Sequence, residues 1–233
     1  MIQKMSKNVL ITGGSSGIGF ATAKLLLKNG FKVFICSSNI DKVNKSINNL
    51  KKINKSSISG SVCDVANFLA VKDMILKAIS FLGGLDILIN NAGVGFKKSI
   101  EDIDFIEWNK LIGTNLTGAF NCSKISIPYL KKSKNPQIIN LGSRSGRYSF
   151  EGGTAYNASK FGMQGFSEAL YLDLKKYKIK VTLIAPGSVN TQLTEENKLK
   201  KALKPEDIAK VVVDTLGHKT HSNVNWIEIR SNY

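Results

Sequence analysis

Short apolar runs rich in β-branched residues alternate along the chain with longer segments whose apolar positions recur every three or four residues. Unbroken apolar runs mark strands covered on both faces, and the intervening periodic segments mark the helices that cover them, so the pattern predicts strand-helix units around a parallel sheet. Asn8 to Thr12 is the first expected strand, followed by a glycine-rich turn. Ile18 to Asn29 places apolar residues at Ile18, Ala21, Leu25 and Leu26, and Gly30 stops that helix. Lys32 to Cys36 predicts a second strand, and Asp41 is expected to cap a lysine-rich amphipathic helix running to about Leu50. Ser57 to Val62 is a third strand, Ala66 to Leu82 a helix closed by Gly83-Gly84, and Ile87 to Asn90 a fourth strand. Phe105 to Leu130 reads as one long helix whose end Pro128 should kink or fray. Gln137 to Leu141, a helix from Thr154 to Lys176, Lys180 to Ala185, a helix starting at Pro205-Glu206-Asp207 and a terminal strand from Trp226 to Ile229 complete the alternation. No linker or repeat divides it. Residues 1–233 are expected to form one doubly wound α/β domain with helices on both faces and ligands at the carboxyl ends of the strands.

Composition narrows the class. A chain of 233 residues with 42% hydrophobic content can bury a sizeable core, and 21% charged residues with only 4 prolines exclude a disordered or collagen-like chain. No apolar stretch approaches the about 20 residues that cross a bilayer, and Met1 to Asn8 is too polar for a secretory core, so a cytoplasmic protein with no membrane partner is expected. Cys36, Cys63 and Cys122 are odd in number and each lies in an apolar run, which reads as small core residues. The formal charge of +16 is spread over scattered lysines on polar helix faces, a pattern of solvated surfaces that argues against nucleic acid as a partner.

Thr12-Gly13-Gly14-Ser15-Ser16-Gly17-Ile18-Gly19 stands between the first strand and the first helix, where backbone amides and the positive end of the helix dipole can hold a pyrophosphate. Tyr156 and Lys160 are four residues apart on one helix and share a face. A nearby ammonium favours phenolate, so Lys160 is expected to lower the tyrosine from its ordinary value of about 10 toward working pH. Ser143 follows the fifth strand at a carboxyl edge of the sheet, and Asn115 lies inside the long helix, where asparagine is a poor helix former.

These residues, with Asn90-Asn91-Ala92-Gly93, Asp64-Val65 and Pro186-Gly187 followed by Val189 and Thr191, resemble the short-chain dehydrogenase/reductase family over essentially the whole chain. The resemblance implies a single Rossmann-fold domain that transfers hydride between a nicotinamide dinucleotide and a carbonyl or alcohol carbon, without a metal. It implies Tyr156 as proton donor and acceptor, Ser143 as the group orienting the substrate oxygen, Lys160 tuning Tyr156 and holding the nicotinamide ribose, and Asn115 supporting Lys160 through water. It further implies a dinucleotide site of Gly13, Ser15, Ser16, Gly17, Ile18 and Gly19 at the phosphates, Asp64 and Val65 at the adenine, Asn91, Ala92 and Gly93 beside the fourth strand, and Pro186, Gly187, Val189 and Thr191 beside the nicotinamide. The second strand ends in Ser37-Ser38-Asn39 with no carboxylate to pair with a ribose diol or repel a 2′-phosphate, which favours NADP, with NAD as the alternative. Gly142 stands where the family often has serine.

The short polar segment containing Asn190, Gln192, Thr194, Glu195, Glu196, Asn197 and Lys198 predicts a reduced lid over the substrate. An open site of this kind suits a small-molecule carbonyl or alcohol that is bulky, or one presented by an acidic acyl carrier, as in the 3-oxoacyl carrier-protein reductases that the chain is similar to. Lys97, Lys98, Arg144 and Arg147 would steer such a carrier. The rival readings are an NAD-linked alcohol or sugar dehydrogenase and a non-catalytic nucleotide sensor. His218 and His221 read as surface residues. Phe161, Phe166, Leu170 and Leu174 form an apolar stripe expected to serve core and subunit contact, and the resemblance implies a homodimer or homotetramer.

Overall fold

Successive residues of a strand point to opposite faces, and in this chain both faces are covered, which is why its strands are apolar without alternation. The computed structural model describes residues 7–191, 202–216 and 222–232. Strands β1 (Asn8–Thr12), β2 (Lys32–Ser37), β3 (Ile58–Val62), β4 (Ile87–Asn90), β5 (Gln137–Leu141), β6 (Lys180–Pro186) and β7 (Trp226–Ile229) form one parallel sheet in the order β3-β2-β1-β4-β5-β6-β7. Val9, Ile11, Val33, Ile35 and Ile89 pack against Leu26 and Leu27 of α1 (Gly17–Lys28), Leu50 of α2 (Ile40–Lys51) and Ile208 and Val212 of α7 (Pro205–Thr215). Leu10, Phe34, Leu88 and Ile138 face the other way, onto Met74 and Ile75 of α3 (Phe68–Leu82), Leu130 of α5 (Gly118–Leu130) and Leu174 of α6 (Thr154–Leu174). Among the described residues no helix is long and apolar enough to cross a membrane.

The strand order reverses between β1 and β4, so the connections leaving their carboxyl ends diverge and open a crevice there. The two strand ends are tied across that crevice. Thr12 Oγ1 accepts the backbone N–H groups of Asn91 and Ala92 at 3.0 Å each, and Asn91 Nδ2 donates to Thr12 O at 2.9 Å and Gly13 O at 3.0 Å.

Every expected strand is present with its ends within one residue of the sequence reading. Three helical details differ. The cap of α2 is Asn39, whose side chain accepts Lys42 N–H at 2.9 Å, while the expected Asp41 lies inside the first turn. Asn67 caps α3 in the same way, delaying its start from Ala66 to Phe68. The long segment from Phe105 is helical throughout but comprises α4 (Phe105–Ile112), a π-helical turn at Gly113–Thr117 and α5, which passes through Pro128 and ends at Leu130. The wide turn carries Asn115, which is 1% exposed. The cysteines, distant in sequence, are all free and buried in the layer beneath α3 and α5.

Replacing Thr12 by Val keeps the volume but leaves two backbone N–H groups without their acceptor, so unfolding by urea should show a loss of about 2–4 kcal/mol. A change within experimental error would mean that the two strand ends are held together by other contacts.

Candidate active site

At the turn between β1 and α1 the backbone itself is the functional surface. Gly13 adopts φ +65°, and a Cβ there would sit 2.8 Å from Ala92 Cα; a Cβ on Gly19 would meet Gly13 O at 2.4 Å. Any side chain at either position would force the turn away from β4 and fill the space beside α1. Ser16 occupies the N-cap of α1 with no side-chain hydrogen bond to the helix, so its hydroxyl does not occupy the first-turn amides that would meet an anion. Ser15 O accepts Ser46 Oγ at 2.8 Å, which fixes the turn from behind, and the core holds Ile18 from inside. A Cβ on Gly17 would lie 3.2 Å from Thr191 Cγ2, placing Thr191 over the same turn. The cradle therefore fits a dinucleotide pyrophosphate.

The other expected cofactor residues divide by what their side chains do. Ser37 ends β2, with its hydroxyl donating to Asn39 O at 3.4 Å, and Ser38 is exposed beside it. Asn39 Oδ1 is committed to the α2 cap, leaving its amide NH2 as the group able to donate to a phosphate. Asp64 folds back, its carboxylate accepting Ala66 N–H at 3.0 Å. Val65 and Val189 are turned into the core, so these two offer a ligand backbone rather than a side chain. Gly93 lies against Asn115, and Pro186 and Gly187 close β6, with Gly187 N–H donating to Ile229 O at 2.8 Å. Gly142 has a local cause: a Cβ there would meet Leu183 Cδ1 at 2.9 Å. The lid residues from Gln192 to Lys198, and both histidines, lie outside the described residues.

Ser143, Tyr156 and Lys160 meet at the carboxyl end of β5. Ser143 Oγ accepts Ser145 N–H at 3.0 Å. Lys160 Nζ donates to Leu141 O at 3.1 Å and stands 5.8 Å from the centre of the Tyr156 ring. Asn115 Nδ2 donates to Val94 O and Ser159 Oγ, and its Oδ1 accepts Val94 N–H, so it braces the loop after β4 against α6 without touching Lys160.

The electrostatics differ from the sequence expectation. Burial pushes the Tyr156 phenol above its ordinary value, and the Ser143 side chain offsets only part of this. Burial also brings the Lys160 ammonium down to about 8. Desolvation thus decides both shifts, opposing the charged form of each group.

The short chain dehydrogenase family model matches residues 7–202. The chain belongs to that family. Short-chain dehydrogenases similar to it include an uncharacterized oxidoreductase of Staphylococcus aureus (strain MRSA252), 34% identical over 226 residues and 96% of both chains. A second, from Staphylococcus epidermidis, is 32% identical over 99% of both chains. Among solved structures, a metagenomic short-chain oxidoreductase in complex with NADP superposes with a TM-score of 0.86 at 27% identity over 98% of both chains. ElxO with NADP bound gives 0.88 at 28% identity, over 98% of this chain and 99% of that one. The protein is thus an NAD(P)-dependent oxidoreductase of the short-chain dehydrogenase family.

Several supporting residues of this short-chain dehydrogenase went unassigned in the sequence reading. Asn157 Nδ2 donates to Ser145 O at 2.7 Å and Tyr148 O at 3.2 Å, and its Oδ1 accepts Phe150 N–H at 3.3 Å, which shapes the loop between Ser143 and Tyr156. A buried chain below the site links Asn90, which belongs to the Asn90-Asn91-Ala92-Gly93 element picked out in the sequence, to the unassigned Ser123, Asn140 and Ser167. The available signal was asparagine within otherwise apolar or helical runs, where it must find partners if buried. Of the four expected steering cations, Lys98 is paired with Glu107 at 2.6 Å and Arg147 with Glu228 at 3.9 Å; Lys97 and Arg144 enter no ion pair among the described residues.

The buried Lys160 carries a signed prediction. Below about 8 its ammonium is charged in both folded and unfolded chains and the burial cost is complete; between about 8 and 10.5 the folded chain releases the proton first, so stability recovers as pH rises. Lys160→Met should therefore melt at or above the wild-type temperature at pH 7, with the advantage shrinking toward pH 10, while turnover falls sharply. A large loss of thermal stability at pH 7 would show that the ammonium is a structural prop.

Proposed function

We propose that this enzyme uses NADP(H) to interconvert a carbonyl and a secondary alcohol, with Ser143, Tyr156, Lys160 and Asn115 as its working set. The observation that carries the reading is the half-buried Tyr156 side chain, one helical turn from a buried Lys160 whose ammonium stands 5.8 Å from its ring, at the strand end that leads into Ser143. The bound cofactor supplies the hydride chemistry. Gly13, Ser15, Ser16, Gly17, Ile18 and Gly19 would hold its pyrophosphate, with Asn91, Ala92, Gly93, Pro186, Gly187 and Thr191 along its path. Ser37, Ser38 and the Asn39 amide would receive the 2′-phosphate, at a strand end with no acidic side chain. The NADP bound in both solved relatives supports this choice over NAD.

In reduction Tyr156 gives its proton to the developing alkoxide. Burial keeps that proton in place until substrate binds, which suits the reducing direction. Ser143 accepts Ser145 N–H, leaving its own proton to polarise the substrate oxygen. In oxidation Tyr156 takes the alcohol proton, and the resulting phenolate is stabilised by the Lys160 ammonium. Asn115 positions α6 through Ser159 and would pass protons onward through water. A 3-oxoacyl thioester on an acidic carrier is the narrower substrate reading; Lys97 and Arg144 are the unpaired cations left to serve it. Exposed Phe105, Ile106 and Phe161 support the expected homodimer or homotetramer, whereas Leu174 of the same apolar stripe is core.

The test is a screen of ketones with reduced cofactor, read by nicotinamide absorbance. NADPH should exceed NADH by about tenfold or more in kcat/KM; equal rates would remove the NADP preference and favour the NAD-linked dehydrogenase. Tyr156→Phe should fold and bind cofactor yet lose about 10²–10⁴-fold in kcat. Near-normal turnover would reject the role given to the phenol.

A further inference from the structure

Two loops leave the carboxyl ends of neighbouring strands: residues 91–104 after β4 and residues 142–153 after β5. They are stitched by Lys98 N–H donating to Gly152 O at 2.8 Å. The stitch separates two adjacent lysines. The side chain of Lys98 goes to Glu107, with Nζ at 2.6 and 2.8 Å from the two carboxylate oxygens, and Glu107 is itself fixed in the capping box of α4 by Asp104. The side chain of Lys97 goes instead toward the other loop. Its stem lies on the backbone of Gly152, where a Cβ would meet Lys97 Cγ at 3.1 Å, and its ammonium stands 5.9 Å from the centre of the Phe150 ring. That ring is 6.3 Å from the Tyr156 ring.

Besides the Lys160 ammonium, a second positive charge is therefore held two ring contacts from Tyr156, Lys97 on Phe150 and Phe150 on the Tyr156 ring. Of the neighbouring cations, Arg147 and Arg230 share Glu228, while Arg144 stacks on Tyr148 at 4.8 Å and, like Lys97, is in no ion pair among the described residues. Glu151, on the same loop as Phe150, is in no ion pair with Lys97. An aromatic face attracts the ammonium but does not neutralise it, so the charge remains available to an anion. The geometry points to Lys97 as a specificity-determining residue that selects substrates bearing a carboxylate a few carbons from the carbonyl. One flexible ammonium matches one negative charge, whereas a phosphate dianion calls for a guanidinium fork or several cations. The inference rests on the carbonyl-reductase reading and adds a substrate class to it.

The experiment compares kcat/KM with NADPH for 3-oxo and 4-oxo carboxylates of four to eight carbons against the methyl ester and primary amide of each, alongside neutral ketones. The expected result is a preference for the acids that falls about tenfold in Lys97→Gln, mainly through KM, and is largely restored in Lys97→Arg. Lys110→Gln, which removes an exposed charge from α4, should leave the preference unchanged. Esters and amides reduced as well as the acids, or an acid preference that survives Lys97→Gln, would overturn the assignment while leaving carbonyl reduction intact. Failure of every carbonyl, neutral ketones included, to consume NADPH would overturn the reductase reading itself.

Discussion

The site depends on how closely the carboxyl ends of β1 and β4 approach. Their connections leave in opposite directions, so the backbone there cannot be satisfied by further sheet pairing. Thr12 and Asn91 supply the missing partners: one hydroxyl accepts two N–H groups, and one side-chain amide donates to two carbonyls. That contact sets Gly13 against Ala92, and only a residue without Cβ fits. The glycine turn and the loop after β4 are thus two sides of one hydrogen-bonded junction.

Chemistry is placed on this frame by burial. Tyr156 and Lys160 sit on one face of α6, but the protein encloses them enough that desolvation opposes charge on both. Each is thereby displaced toward its neutral form, the phenol upward and the ammonium downward. Asn115 contributes by geometry: the π-helical turn that carries it lets one side chain bond both the loop after β4 and Ser159.

Surface charge acquires meaning only after pairing is known. In sequence, Lys97 and Lys98 are equivalent neighbours and Arg144 and Arg147 a similar pair. In the folded chain Lys98 is tied to Glu107 and Arg147 lies near Glu228, so half of the apparent basic surface at the mouth is already matched. Lys97 retains its charge beside the aromatic wall of the site.

The local pattern of residues was enough to determine the doubly wound architecture, all seven strands, the glycine turn and the Tyr156–Lys160 face, because periodicity and backbone sterics act over a few residues. The cap of α2 was misplaced because Asn39 and Asp41 are both competent and only the path out of β2 selects between them. Tertiary structure alone decided the rest. It turned Val65 and Val189 inward, gathered the three cysteines into one layer, made Asn157 the organiser of the loop between Ser143 and Tyr156 and reversed the expected direction of the Tyr156 shift. Each of these turns on burial and on partners brought from distant segments, and neither the dielectric around a group nor the identity of its neighbour across the fold is encoded in the residues adjacent to it.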